Sequence, residues 1–276
     1  MAEFTPMMQQ YLQTKEEYKD CILFYRLGDF YEMFFEDAEL VSKELELTLT
    51  GKNCGMEERA PMCGIPYHAV EGYLNKLVAN GHKVAICEQV EDPKLAKGLV
   101  KREVIRIVTP GTNLDMQALD ESKNNYIMCI VYLADRYGVS IADVSTGDYY
   151  VTEVDSERKL FDEITKFSPS EIICNESFYM SGVDIEDLRH RLKITIYALE
   201  TWYFGDELAE TTLLTHFKVK SLEALGLADY DCGMIAAGAL LKYLYETQKN
   251  DLNNISVIHP YSTGKYMIID SSGSAS

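Results

Sequence analysis

The sequence predicts an α/β protein with two domains, and three observations support this fold class. The chain has 276 residues, of which 47% are hydrophobic and 25% charged, the balance of an ordinary globular protein. At roughly 100–200 residues per domain, this length favours two domains that each bury a core. Short apolar runs alternate with stretches of helical periodicity along the chain, which is typical of mixed sheets covered by helices.

The first predicted domain begins with a helix, because Thr5 is suited to cap it and Pro6 to occupy its first turn. The apolar run at 21–27 predicts a buried strand. Apolar residues recur at helical spacing from Phe34, which predicts an amphipathic helix over 30–45. The other segments are predicted, in chain order, as a strand at 46–50, a loop at 51–66, a helix ending at Asn80-Gly81, and strands at 83–89 and 103–108.

The second predicted domain opens with three strands that follow one another closely. Because only short turns separate them, we expect them to pair antiparallel. Helices and short strands then alternate to the end of the domain. The predicted elements are strands at 125–133, 138–144 and 148–154, a helix at 156–167, a strand at 171–174, a helix at 184–192, a strand at 194–198, and helices near 206–217 and 231–249.

The overall charge argues against a simple nucleic-acid-binding protein. The chain carries 26 basic and 44 acidic residues, a net charge of −18, so a phosphate backbone is repelled on average. One segment, 94–106, is an exception, since it holds five basic residues and one acid. By composition alone it is more typical of a solvated face than of a DNA contact. Its basic residues are Lys94, Lys97, Lys101, Arg102 and Arg106, with Lys76 and Lys83 upstream.

The seven cysteines indicate neither a disulfide scaffold nor a zinc site. Their number is odd, their spacing is wide, and no two are separated by just two residues. We therefore expect buried, reduced thiols in a cytoplasmic protein. The chain also has no signal-like start and no apolar run near the ~18 residues of a membrane span.

Two candidate chemical sites are weak. The segment 262–266 imitates the end of a phosphate-binding loop, but His259 stands where the first glycine belongs, and Tyr266 stands where Ser or Thr belongs. The acids Asp143, Asp148 and Glu153 on neighbouring predicted strands could hold Mg²⁺ in a nuclease. Surface acids on an acidic domain are the simpler interpretation of this trio.

The segment 28–34, with the sequence GDFYEMF, allows two interpretations. In the structural one, Asp29 and Glu32 form a capping box at a helix start, and Phe30 extends the apolar stripe of that helix. In the functional one, Phe30 stacks on a ligand while Glu32 projects to nearly the same place and forms a hydrogen bond. Physical reasoning alone favours the structural interpretation.

Five segments in the first domain resemble the MutS family of bacterial DNA mismatch repair proteins, in the order in which that family has them. The resemblance is weaker from 125 to 258, where ADVSTG at 142–147 is similar to the family's connector domain. The five segments are TPMMQQYL (5–12), FYRLGDFYEMF (24–34), APMCGIPYHAV (60–70), VAICEQVEDP (84–93) and VIRIVTPGT (104–112).

The resemblance implies a mixed-sheet mismatch-recognition domain at 1–112, a linker at 113–124 and an RNase H-like connector domain at 125–258. Residues 259–270 then correspond to the start of the family's core domain, and 271–276 to an appended tail. The resemblance therefore leads us to expect a truncated N-terminal fragment.

For function, the resemblance implies recognition of mispaired or unpaired bases in duplex DNA. Phe30 would wedge beside the mispaired base and Glu32 would hydrogen-bond it, and no catalytic residue is expected. The basic residues Lys76, Lys94, Lys97, Lys101, Arg102 and Arg106 become candidate phosphate contacts.

The resemblance also implies partners and cofactors that belong to the full-length family. These are the protein MutL, contacted through the connector, a second copy of the protein, ATP and Mg²⁺. For the fragment itself we expect a monomer without metal, ATP or membrane binding, located in the cytoplasm at the nucleoid. Alternatives are a fragment that mainly binds MutL and, more remotely, a metal-dependent nuclease.

Overall fold

The structure is a computed structural model that describes residues 1–115 and 123–263. It contains two compact units. The first comprises Met1–Thr109 with Thr247–Lys249, and the second comprises Pro110–Glu246 with the residues from Asn250 onward. Each unit is built on a six-stranded mixed sheet, which confirms the predicted α/β class. Within the described ranges, none of the helices has the length and apolar character that crossing a lipid bilayer requires.

The sheet of the first unit has the strand order β3-β4-β2-β1-β5-β6. Strand β1 pairs antiparallel with β2 and parallel with β5, so it lies at the centre of the sheet. The elements of this unit are α1 (Pro6–Glu17), β1 (Ile22–Leu27), β2 (Phe30–Phe34), α2 (Phe35–Leu45), β3 (Thr50–Lys52), β4 (Ala60–Pro66), α3 (Val70–Ala79), β5 (Val84–Gln89) and β6 (Arg102–Val108).

Helices cover both faces of this sheet. Helix α1 begins as predicted, since the Thr5 hydroxyl accepts a hydrogen bond from the Met8 amide at 3.3 Å. Its buried residues Met8 and Tyr11 pack on one face, against Phe34 among others. Helices α2 and α3 pack on the other face, as the alternation of side chains along a strand requires.

Three predicted elements of this unit are wrong. The strand expected at 46–50 begins only at Thr50, as β3, because Glu46 ends α2 in a left-handed conformation. Residues 30–34 form a strand, and the helix begins only at Phe35, because β1 and β2 make a hairpin around a two-residue turn. The predicted loop at 51–66 contains β4, which pairs with both β2 and β3. Backbone pairing on two sides fixes β4 although its sequence includes Pro61 and Gly64.

The sheet of the second unit has the order β11-β10-β7-β8-β9-β12. The predicted antiparallel pairing of its first three strands is confirmed. Two apolar cores lie on the two faces of this sheet. Its elements are β7 (Ile127–Leu133), β8 (Arg136–Asp143), β9 (Asp148–Val154), α4 (Glu157–Phe167), β10 (Glu171–Cys174), α5 (Ile185–His190), β11 (Thr195–Ala198), α6 (Asp206–Phe217), α7 (Cys232–Gln248) and β12 (His259–Pro260).

Segments predicted to lie between domains or beyond them are only partly described. Residues 110–113 are buried in the second unit, where the Gly111 amide donates to Glu171 Oε1 at 2.9 Å. Strand β12, placed by resemblance at the start of a further domain, pairs with β9. Residues 116–122 of the predicted linker lie outside the described residues, as do 264–276, with Tyr266 and the predicted tail.

All seven cysteines are buried and none forms a disulfide, as the sequence predicts. They are distributed over both units. Burial raises the pKa of the Cys21, Cys87, Cys174 and Cys232 thiols to about 12.

Candidate nucleic-acid interface

The tip of the β1–β2 hairpin forms the centre of the candidate site. Gly28 and Asp29 make its two-residue turn, and Gly28 adopts a φ of 59°, a left-handed conformation that costs glycine little. Arg26 braces the turn, because its Nε donates to the Gly28 carbonyl at 2.6 Å. Its guanidinium group also stacks on the Tyr67 ring at 4.1 Å. The tip is therefore a fixed platform.

Phe30 is the first residue after this turn, and 47% of its surface is exposed. Phe34 lies at the other end of the same strand, on the same face, and is only 1% exposed. The two aromatic residues thus have opposite environments. Phe34 belongs to the core beneath α1, whereas Phe30 presents an apolar ring to solvent.

Glu32 lies on the same face as Phe30, because side chains two residues apart on a strand point the same way. It is only 8% exposed. The Lys52 ammonium group, from β3, contacts both of its carboxylate oxygens, at 3.0 and 3.3 Å. The charge of this carboxylate is therefore balanced at the site.

Gly64 completes the face. It is the register partner of Glu32 on the neighbouring strand β4. A methyl group added to Gly64 would lie 3.7 Å from Phe30 Cδ1 and 3.7 Å from Glu32 Cγ. With glycine there, a slot about the size of a methyl group lies beside the aromatic ring and the Glu32 side chain, as expected where a ligand approaches a strand closely.

The capping box predicted for Asp29 and Glu32 does not form. Asp29 lies in the hairpin turn and Glu32 in the middle of a strand, so neither is at a helix start. Phe30 and Glu32 nevertheless point in the same direction, as the functional interpretation requires, because side chains two residues apart on a strand lie on the same face. The missed signal was the dipeptide Gly28-Asp29 between two apolar runs, which is typical of a two-residue hairpin.

Three of the predicted phosphate contacts lie near this tip. Strand β5 runs parallel to β1 and ends at Gln89, level with the end of β1. The connection from β5 to β6 therefore leaves the sheet at the same end as Phe30. It carries three exposed lysines, of which the third forms an ion pair with Glu103 at 3.3 Å. These are Lys94, Lys97 and Lys101.

Arg102, at the start of β6, has contacts typical of a structural residue. Its guanidinium group donates to Gln10 Oε1 at 2.8 Å and to the Arg26 carbonyl at 2.7 Å. It also lies over the Tyr25 ring at 4.9 Å. These contacts tie β6 to the hairpin and to α1.

The structure does not bring the last two predicted phosphate contacts to the tip. Helix α3 follows the end of β4, which is level with Phe30, and runs back toward the start of β5. Lys76 is exposed in its last turn, toward the opposite end of the sheet. Arg106 lies midway along the edge strand β6, opposite Ile86.

The three acids considered for a nuclease do not converge. Asp148 and Glu153 are five residues apart on β9, which separates them by about 17 Å and places them on opposite faces. Asp143 is fully buried and accepts a hydrogen bond from the Ser145 amide at 2.9 Å. Glu153 accepts one from the Gly233 amide at 2.8 Å, at the start of α7.

Asp143 and Glu153 therefore stabilise a turn and a helix start, and the distance of Glu153 from Asp148 contradicts a metal site shared by all three acids. Within residues 1–115 and 123–263, no group of three or more His, Cys, Asp or Glu side chains is arranged to hold a metal ion.

Comparisons with known proteins match this organisation. A family model described as MutS domain I matches residues 5–117, and one described as MutS domain II matches residues 125–256. Curated relatives named DNA mismatch repair protein MutS match nearly the whole chain. The relative from Lachnoclostridium phytofermentans is 66% identical over 272 residues, which are 99% of this chain and 29% of the relative.

Two further relatives with the same name are more distant. The protein from Acetivibrio thermocellus is 52% identical over 273 residues, 98% of this chain and 31% of the relative. That from Ruminiclostridium cellulolyticum is 50% identical over 275 residues, 99% of this chain and 31% of the relative. The chain thus spans less than a third of these relatives, in the part that two domain models describe, and it belongs to the MutS family.

Proposed function

We propose that this chain recognises mispaired or unpaired bases in duplex DNA, as the sensing part of a mismatch repair protein. The exposed ring of Phe30 on a braced hairpin tip is the observation that carries the proposal. The ring lies on the same face as the Glu32 carboxylate, so an apolar surface and a hydrogen-bond acceptor are presented side by side. The family match supports the same role.

A wedge at this position suits a mispaired base step. Inserting an apolar side chain between base pairs unstacks and kinks the duplex, which costs a few kcal/mol per step. A mispaired step is already weakly stacked, so the cost is smaller there than in matched DNA. Stacking of Phe30 on one base returns about 1–3 kcal/mol. The difference between the cost of insertion into matched DNA and that at a mispaired step gives a preference for the mismatch.

Glu32 supplies the polar contact beside the wedge. Its carboxylate accepts a hydrogen bond from a base that the wedge has displaced, and the absence of a side chain at Gly64 lets that base approach the strand more closely. A bare carboxylate near phosphates would weaken all binding, but Lys52 offsets its charge.

We further propose that Lys94, Lys97 and Lys101 contact phosphates beside the inserted ring, because their loop leaves the sheet at that end. Such contacts fix position on the duplex and carry no sequence information. Arg102 supports the base of this loop through its internal contacts. Lys76 and Arg106 remain predictions, since they lie away from the tip.

The other roles are proposals that rest on the family alone. We propose that the second domain connects the sensor to MutL, and that the whole protein acts as a homodimer in the cytoplasm at the nucleoid. ATP and Mg²⁺ chemistry is assigned to the part of the relatives that this chain does not match, so the proposed role of the chain itself is recognition without catalysis. The alternative of a fragment that mainly binds MutL is not favoured, because the match includes domain I.

The test places this chain in a full-length protein. In the Lachnoclostridium phytofermentans relative, the matched 272 residues are exchanged for those of this chain, and binding to heteroduplex and matched duplex is titrated at low and moderate salt. We expect the exchanged protein to prefer the heteroduplex and Phe30→Ala to lose about 5- to 150-fold of that preference, the equivalent of ~1–3 kcal/mol.

The matched control is Phe161→Ala, which removes a 39% exposed aromatic residue of the second domain. It should leave the preference unchanged. An exchanged protein without preference, or a Phe30→Ala variant that keeps it, would refute the proposed function.

A further inference from the structure

In the proposed recognition mechanism Lys52 only offsets the charge of Glu32, yet its position in the sheet is unusual. Its strand, β3, is not adjacent to the strand of Glu32, because β4 lies between them. Lys52 is the register partner of Ala60 on β4, and Glu32 that of Gly64. The ion pair therefore spans the full width of β4 to reach the candidate site.

Two residues of β2 position the Lys52 ammonium group. Glu32 lies opposite Gly64 on the intervening strand, so β4 places no side chain directly across from the carboxylate. The ammonium also lies 5.9 Å from the centre of the Phe34 ring, which is buried. An aromatic face at this distance attracts a cation. The lysine is thus held between a core residue and the base-contacting acid.

The carboxylate is mostly buried and depends on this one cation. Within the described part of the chain, Lys52 supplies the hydrogen bonds and the ion pair that the structure gives Glu32. A buried carboxylate left without its partner is strongly unfavourable and moves toward water or a new partner. Arg59, another nearby cation, donates instead to the Gly51 carbonyl at 2.6 Å.

We propose that Lys52 is a specificity-determining positioning residue, which holds the Glu32 carboxylate in the orientation and charge balance that reading a mispaired base requires. The proposal deepens the proposed function and rests on it. Because the lysine contacts both oxygens without enclosing them, each oxygen keeps lone-pair directions that can face a base. The pair acts at the DNA surface as a neutral acceptor.

The test is a double-mutant cycle in the full-length exchanged protein, with Lys52→Met, Glu32→Gln and the double variant. In the presence of Glu32, Lys52→Met should weaken heteroduplex binding about tenfold, a coupling within the range for residues in direct contact. With Gln at position 32, the same change should alter binding less than twofold. Equal losses in both backgrounds would overturn the proposal.

Three further measurements separate positioning from a merely structural role. Lys52→Arg should restore most of the heteroduplex preference, since it keeps the cation. Arg59→Met, the matched control, should not change it. Hydrogen exchange of the 30–34 amides should be the same in Lys52→Met as in the unsubstituted protein, and faster exchange would assign the lost preference to unfolding of the strand. If Phe30→Ala loses the heteroduplex preference while the effects of Lys52→Met and Glu32→Gln are additive, the proposed function stands and the role of Lys52 alone is refuted.

Discussion

Two buried glutamates, one in each domain, have contrasting surroundings, one in the candidate binding site and one in the scaffold. Glu171, in the second domain, is fully buried, and rigid groups hold both of its oxygens. Glu32, in the first domain, is nearly as buried but is held by the end of one flexible lysine. The donors to Glu171 are the Gly111 amide at 2.9 Å, the Tyr243 hydroxyl at 2.8 Å and the Tyr197 hydroxyl.

Two glycines inside strands, one in each domain, differ in their surroundings in the same way. A methyl group added to Gly138 on β8 would lie 2.0 Å from the Cys232 carbonyl oxygen, so that strand is packed directly against α7. At Gly64 the added methyl would meet only ordinary contacts at 3.7 Å. The comparison teaches that several fixed donors and filled space distinguish the scaffold residue, whereas a single lysine and room for an added methyl group distinguish the candidate site.

The largest effect is expected from replacing the buried glutamate of the second domain. Glu171→Leu should lower the free energy of unfolding by about 3–5 kcal/mol, because it leaves an amide and two hydroxyl groups without their acceptor in the core. Urea unfolding followed by the fluorescence of Trp202, the single tryptophan, reports on this domain. Glu186→Ala, at an exposed acid, is the control and should change little. A loss below 1 kcal/mol for Glu171→Leu would contradict the scaffold role.

The two phenylalanines of β2 test the contrast within one strand. Phe34→Ala should destabilise the first domain by about 3–5 kcal/mol, since it opens a cavity beneath α1. Phe30→Ala removes an exposed ring and should cost less than ~1 kcal/mol. Hydrogen exchange of the 22–34 amides measures both. A Phe30→Ala variant as unstable as Phe34→Ala would show that the ring is a packing residue.

Adding a methyl group at Gly138 tests whether the space between β8 and α7 is filled. Gly138→Ala should destabilise the second domain by about 3 kcal/mol, the upper part of the range for overpacking, because a backbone carbonyl cannot move away as a side chain can. Thermal unfolding with Trp202 fluorescence measures the effect. If the variant is as stable as the parent protein, the contact between β8 and α7 is looser than described.

A methyl group at Gly64 should have the smallest effect on stability and still affect binding. Gly64→Ala should change the free energy of unfolding by less than about 1 kcal/mol, because its new contacts are ordinary and glycine has no special backbone conformation there. It narrows the slot between Phe30 and Glu32, so heteroduplex affinity should fall a few-fold while matched-duplex affinity stays constant. Equal losses on both duplexes would place the base edge elsewhere.

Most of the fold could be predicted from local patterns in the sequence. The cap at Thr5, the helix end at Asn80-Gly81 and the three closely spaced strands of the second domain each depend on short-range geometry that composition and spacing encode. Strand β4 could not, because it is fixed by pairing on both sides and its Pro61 and Gly64 favour a loop when considered alone.

The site was predictable only in part. Resemblance identified Phe30 and Glu32, but periodicity assigned them to a helix, since apolar residues from Phe34 onward do repeat at helical spacing. Lys52 could not be found from the sequence, because it is 20 residues from Glu32 and reaches it across an intervening strand. Contacts that cross a strand depend on the pairing of three strands, and a linear pattern does not show this.

The two-residue turn at Gly28-Asp29 makes the site more sensitive to chain length than to residue type. Inserting one codon between Leu27 and Phe30 would shift the register of β2 by one residue, and a shift of one moves every side chain of a strand to the opposite face. Phe30 and Glu32 would then face α2 and α3, with Tyr31 and Met33 on the face that packs against α1. A substitution at the tip changes one side chain of the candidate site at a time, whereas a change in the length of this turn displaces all of them in a single step.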